Sequence, residues 1–238
     1  MSKQKREQQK KRKREKARRE RLNILRAIRD TGGEDEHYVY FNMEIYEEPK
    51  GINPPLSPEM NSMAAEANDL AHEGNYKQAI SMLEKVNAKE PGRPMILYNI
   101  AAFHLALGDR EFHDKTIDKL VKDFPEYFFG QMAYARRLIM QCQLDQAWEI
   151  LHPIYRLKRL HIAELKAFAG AMILFELAKN DIDEAQEIHR SCSEICEGSF
   201  PSLDSFLLEL MTNRMRYKNV GNEWKHRTYP ALFGRHLD

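Results

Sequence analysis

His189, Cys192 and Cys196 stand at i, i+3 and i+7. On a helix this spacing puts an imidazole and two thiols on one face, where as thiolates they could ligate zinc. A buried free cysteine also behaves as a small hydrophobe, and core packing is the preferred reading of the trio. His104 and His113 flank the pair Gly108-Asp109. Two helices folded back at that turn could bring the rings together, and a hydrogen-bonded core pair is expected ahead of a pH-sensitive or catalytic role. The motifs that mark catalysis are missing from the sequence: G-x-x-x-x-G-K-[ST], G-x-G-x-x-G, H-E-x-x-H, G-x-S-x-G and C-x-x-C. The expectation is a non-enzymatic chain with no catalytic residue, no metal and no cofactor.

The other chemistry on offer is bulk charge. Residues 1–29 hold fourteen Lys/Arg and three acids, leaving 23 bases against 33 acids in the rest of the 238 residues, so a formal charge of +1 hides two opposite parts. Lys10, Lys11, Arg12, Lys13, Arg14, Lys16, Arg18, Arg19 and Arg21 form the densest run. Cations at that density suit a phosphate backbone, because each neutralised phosphate releases counterions without reading sequence. No aromatic is interleaved, so base stacking is not offered, and Glu7, Glu15 and Glu20 suit a partly helical, solvated arm. Nucleic acid or ribosome, a targeting role such as a nuclear signal, and a solubilising or self-docking arm all remain open. No apolar run approaches the roughly 18 residues of a membrane span, and three irregularly spaced cysteines make no disulfide framework. The N-terminus has no apolar stretch of the secretory kind either, so the chain reads as cytoplasmic, or nuclear, with no membrane partner.

What must position these groups is helical and periodic. GNYKQAI at Gly74, GDREFHD at Gly108, CQLDQAW at Cys142 and NDIDEAQ at Asn180 begin 34, 34 and 38 residues apart. Their sixth places are Ala79, His113, Ala147 and Ala185, and four residues on stand Leu83, Ile117, Leu151 and His189. Ala67, Ala101, Ala135 and Ile173 lie twelve residues before the sixth place, and Pro91, Pro125, Arg159 and Glu197 twelve after it. Alanine lets two helices cross closely, the Gly-Asn or Gly-Asp pair turns the chain, and Pro ends the second helix by withholding a donor.

On these residues the chain resembles the tetratricopeptide repeat family, and the resemblance covers about 160 residues. It implies an all-α solenoid of about four helix hairpins. Met60–Arg93 and Pro94–Tyr127 fit best, while the fourth unit departs in its first helix, with four extra residues around Leu157 to His161. Leu203, Phe206, Leu207, Leu210 and Met211 then give a one-sided stripe expected of a terminal capping helix. The domain reading is a basic arm over 1–29, an extended segment and Pro/Gly linker over 30–57, the repeats with their cap over 58–218, and a tail over 219–238. Within 30–57, residues 37–49 are rich in aromatic and β-branched side chains but have no evident strand to pair with. They are expected to lie extended over Met95, Tyr98, Phe129 and Met132 and to inhibit the groove. The tail, with Trp224, Tyr229, Leu232 and Phe233, is expected to pack on the last repeats or act as a linear motif.

The resemblance further implies that a protein segment binds along the first helices of the units, at Asn68, Met95, Tyr98, Asn99, Leu105, Phe129, Met132, Arg136 and Ile139. In the members that clamp the carboxylate tails of cytosolic chaperones, Asn68 and Asn99 match two required asparagines. Ala64, Phe129 and Ala133 stand where basic residues should be, so that co-chaperone role is a minor alternative. The preferred reading is an adaptor that captures a protein on the groove and docks its arm on RNA, DNA, the ribosome or another acidic surface. The alternative is a chiefly nucleic-acid-associated protein whose repeats serve as spacer or dimerisation surface. Oligomeric state and partner identity stay open.

Overall fold

The computed structural model describes residues 44–46, 55–157, 159–197 and 199–216. The basic arm with its nine named Lys and Arg residues, residues 37–43 and 47–49, and the tail 219–238 lie outside them. Hairpins follow one another along the described chain. The first pairs α1 (Pro58–His72) with α2 (Tyr76–Lys89), the second α3 (Pro94–Ala106) with α4 (Arg110–Asp123), and the third α5 (Phe128–Met140) with α6 (Leu144–Leu151). The fourth pairs α7 (Ile162–Ala178) with α8 (Ile182–Ile195), and α9 (Leu203–Arg216) closes the array. This is an α-solenoid of helix hairpins.

Local chemistry explains the boundaries. Ser57 caps α1 by accepting from the Met60 amide, with Pro58 at the first helical position, and Asp109 and Asp181 cap α4 and α8 in the same way. Pro91 and Pro125 stand two residues beyond Lys89 and Asp123 and forbid continuation. Within each hairpin the tight turn places its first residue in the left-handed region: Gly74 at φ 85°, Gly108 at 87°, Cys142 at 60° and Asn180 at 63°. Those are the residues that open the four sequence runs. The crossing residues Ala67, Ala79, Ala101, Ala135, Ala147, Ala185 and Ile173 are at 0% exposure, and only His113, in the sixth place of the second unit, is half-buried.

The third unit departs from the pattern. Its second helix lasts only eight residues before a 3-10 turn, His152–Arg156, and a short strand, β2, at Arg159–His161 absorb the extra residues expected there. β2 pairs in parallel with β1 at Glu44–Tyr46, in the register Glu44 to Arg159, Ile45 to Leu160 and Tyr46 to His161. Residues 44–46 therefore do have a strand partner, contrary to the sequence reading. Ile45 packs against the core that holds Leu160 and Met132, and β1 lies beside β2 and the helix Ile162–Ala178, at the junction of the third and fourth hairpins. The self-inhibition expected of residues 37–49 has no support from their described part. The reason is local: the inserted residues before α7 leave an extended backbone whose amides and carbonyls need partners, and three residues from the other end of the chain supply them.

α7 is apolar nearly all round, from Leu165 to Leu177, because α5, α6, α8, α9 and the strand pair surround it. It is the centre of the larger core. α9 buries Phe206 and Leu210, as its stripe requires, and packs on α7 and α5, so it lies along the first helices of the array.

Candidate peptide-binding groove

On α3, Tyr98, Ala102 and Leu105 fall at i, i+4 and i+7 and share one face. On α5, Met132 and Arg136 share the face turned toward them, with Ala133 and Arg137 beside. A cavity of about 350 Å³ lies between these two faces, closed at one side by the first turn of α4 and at another by Glu209 and Asn213 of α9. Alanines at 102 and 133 keep it open, since a larger side chain at either position would extend into it.

Its floor is apolar and its rim is charged. Tyr98 sits in an aromatic group, 6.1 Å from the Tyr127 ring and 6.0 Å from that of Phe129, and burial raises its phenol pKa against the pull of Arg136. Around the rim, Arg136 pairs with Glu209 and Arg110 donates to the Asn213 side chain. Arg137 donates to the Asp114 carbonyl at 2.8 Å, pairs with Asp118 and lies 4.8 Å from the Tyr134 ring centre, while its Nε is buried without a hydrogen bond. Burial alone would raise the Asp114 carboxyl. The hydrogen bond from His113 at 2.9 Å and the charges of Arg137 and Arg110 outweigh it, and the group is held below its ordinary value. Three guanidinium groups thus border one concavity, a setting able to receive acidic or carbonyl oxygens beside apolar side chains.

Of the groove residues read from the sequence, Tyr98, Leu105, Met132 and Arg136 meet at this cavity. Phe129 supports it through the Tyr98 ring group. Met95 is 41% exposed near the start of α3, and Asn99 donates to Asn68 at 3.2 Å, so the two asparagines are engaged with one another away from the cavity. Ile139 is a correction: it shares the face of Met132 and Arg136 at i+7 and i+3, but it does not line the cavity, being fully buried in the large core around α7. Arg110, Asp114, Glu209 and Asn213 were missed. Only Glu209 and Asn213 left a trace in the sequence, as polar residues one turn apart beside the apolar stripe of α9.

The two histidines do not pair. His104 Nδ1 is 3.2 Å from the Asp109 carboxylate and its ring stacks on Phe112 at 3.8 Å, whereas His113 bonds to Asp114. Each takes the aspartate nearest in the chain, a shorter reach than the helix crossing. Cys192 and Cys196 are buried with their sulfurs 3.7 Å apart, and burial and the neighbouring Cys196 raise the Cys192 thiol pKa, which disfavours the thiolate a metal needs. His189 Nε2 is 2.8 Å from the Pro201 carbonyl instead. No group of three His, Cys, Asp or Glu able to hold a metal occurs among the described residues, and none of their helices is long and apolar enough to cross a membrane.

No family model matches the chain, and no curated protein matches it either. A solved structure titled "MamA RS-1 ArsTM double mutant" is similar at a TM-score of 0.42 and 15% identity, covering 77% of this chain and 100% of that one. A likeness at that level carries no weight for function.

Proposed function

We propose that the chain is a non-enzymatic adaptor of the tetratricopeptide type, which captures a protein segment on the face formed by its first helices. The observation that carries the reading is the cavity itself: an apolar floor of Tyr98, Leu105 and Met132 under a rim of Arg110, Arg136 and Arg137. That combination suits a segment with apolar anchors and acidic or carbonyl groups, and Met and aromatic side chains are adaptable contacts. A carboxylate-clamp role gains nothing, because Asn68 and Asn99 satisfy each other and Ala64 is buried. A photo-crosslinking residue placed at Leu105 should capture protein partners in the cytoplasm that the same residue at the exposed Lys85 of α2 does not. Identical products from both positions would overturn the reading.

For residues 1–29 the proposal is a contact with RNA, DNA or a ribosomal surface, supported by the density of Lys and Arg between Lys10 and Arg21. In the alternative reading the nucleic-acid contact is the main activity and the repeats are a spacer. Crosslinked partners that disappear on removal of residues 1–29 would favour that alternative.

A further inference from the structure

We propose that α9 occupies the partner site of its own array. The ligand it gives way to would be an amphipathic helix presenting an aromatic residue, an acid three positions on, a leucine next to the acid, and an amide or acid seven positions from the aromatic. The proposal rests on the adaptor reading and names the chemistry of its partner. In α9 the pattern is Phe206, Glu209, Leu210 and Asn213.

Three observations converge on it. The first is placement, since α9 lies on α7 and α5, whose faces continue the groove, with Arg110 reaching it from the start of α4. The second is a built seat. Gly170 is in the middle of α7, where glycine weakens a helix, and a Cβ there would stand 3.2 Å from the Phe206 ring and 3.1 Å from an Arg136 nitrogen. The missing side chain lets the Phe206 ring sit close against α7, and Phe206 and Leu210 are both buried in the same core. The third is charge complementarity. Glu209 and Asn213, one helical turn apart, present a carboxylate to Arg136 and an amide oxygen to Arg110.

The hold is also moderate. Both members of the Arg136–Glu209 pair keep about a third of their side-chain surface in solvent, Leu208 is 65% exposed, and the cavity lies between α9 and α3. A helix of the same pattern with larger side chains toward α3 would fill that space and gain over α9. Competition follows from mass action: the groove's apparent affinity for such a helix is reduced by the fraction of molecules with α9 docked.

The probe is a labelled peptide with the sequence of residues 200–216, titrated into the full-length chain. The Glu209→Lys variant sets a cation against Arg136 and should release α9, so it should bind the native-sequence peptide about tenfold tighter than the native chain does. A peptide carrying Glu209→Lys should bind neither. Adding Gly170→Ala to the opened chain should weaken peptide binding, because a methyl group there crowds the Phe206 ring and the Arg136 side chain, each of which would have to give way by a few tenths of an ångström. Thermal unfolding verifies that each variant is folded, and Glu209→Gln, which removes the charge without reversing it, should give a smaller gain of about threefold should the lysine variant not fold. Equal binding by native and opened chains, or indifference to Gly170→Ala, would refute the proposal. Self-association of the opened chain in place of peptide binding would assign the surface to a second copy and also refute it. Failure of the peptide with crosslinks at position 105 intact removes only the role of α9, whereas loss of those crosslinks removes the adaptor reading.

Discussion

The hairpin turns offer a test that separates backbone from packing. Gly74, Gly108, Cys142 and Asn180 do the same job in four units, all at positive φ, and the third does it with a residue poorly suited to it. A left-handed conformation costs an L-residue roughly 1–2 kcal/mol, from which the larger unfolded-state entropy of glycine takes back about 0.5–1 kcal/mol. A Cβ at Gly74 or Gly108 would meet nothing within 4 Å, so replacement there introduces conformational cost and no clash. Cys142 is exposed, so its removal loses no core contact. Gly108→Ala should therefore destabilise the chain by about 1 kcal/mol and Cys142→Gly should stabilise it by about 0.5–1 kcal/mol. At this chain length about 1 kcal/mol corresponds to a shift of roughly 2–4 °C in Tm, measurable by circular dichroism melts or a denaturant midpoint. Cys142→Ala is the control and should leave stability within about 0.5 kcal/mol, since alanine is no better than cysteine at positive φ. A stable Gly108→Ala together with a Cys142→Gly no better than the alanine control would refute the backbone account.

Ala79→Leu and Ala147→Leu should each cost about 1–3 kcal/mol in chemical denaturation, because both alanines are fully buried where paired helices cross; unchanged midpoints would place the crossings elsewhere. Burial raises the Glu176 carboxyl above its ordinary 4.5 despite the ion pair with Lys179. A raised folded-state pKa favours folding with the proton on, so this stabilisation is full below 4.5 and fades as pH rises through the folded value. Relative to Glu176→Gln, the native chain should gain Tm as pH falls from neutrality toward 4.5, and a parallel pair of Tm curves would contradict that sign. Removing residues 1–29 should flatten the salt dependence of RNA binding, whose logarithmic slope would be roughly −6 if each of the nine clustered Lys and Arg neutralised one phosphate of a single strand. A slope unaffected by the deletion would remove the arm from binding.

The hairpins were legible because a helix crossing tolerates few residue types: alanine at fixed offsets, a turn at 34-residue spacing and Pro past the second helix report one geometry three times over. Even the irregular third-to-fourth junction showed as four surplus residues. The groove was half legible. Helical periodicity finds which residues share a face, which gave Tyr98, Leu105, Met132 and Arg136, but at Ile139 it could not say where groove ends and core begins. Pairings between elements left no local mark. The stripe of α9 says which of its residues need cover and not that α5 and α7 provide it, and Gly170 looks like a helix flaw until Phe206 is found against it. The two histidines chose neighbouring aspartates, a choice that depends on rotamers and turn geometry rather than spacing.

Pairing β1 with β2 has a consequence in time. An array whose units touch only their neighbours can fold as it emerges, one hairpin after another. Glu44 precedes its partner Arg159 by more than a hundred residues, so β1 leaves the ribosome first and waits. At roughly 5–20 residues per second the wait is about 6–23 seconds, during which three hairpins can form while the strand has nothing to pair with. Glu44–Tyr46 are fastened beside α7 only once that interval ends. The pairing of β1 is thereby a mark of synthesis as far as β2, and a fragment that stops short of β2 would carry the same basic residues without that pairing.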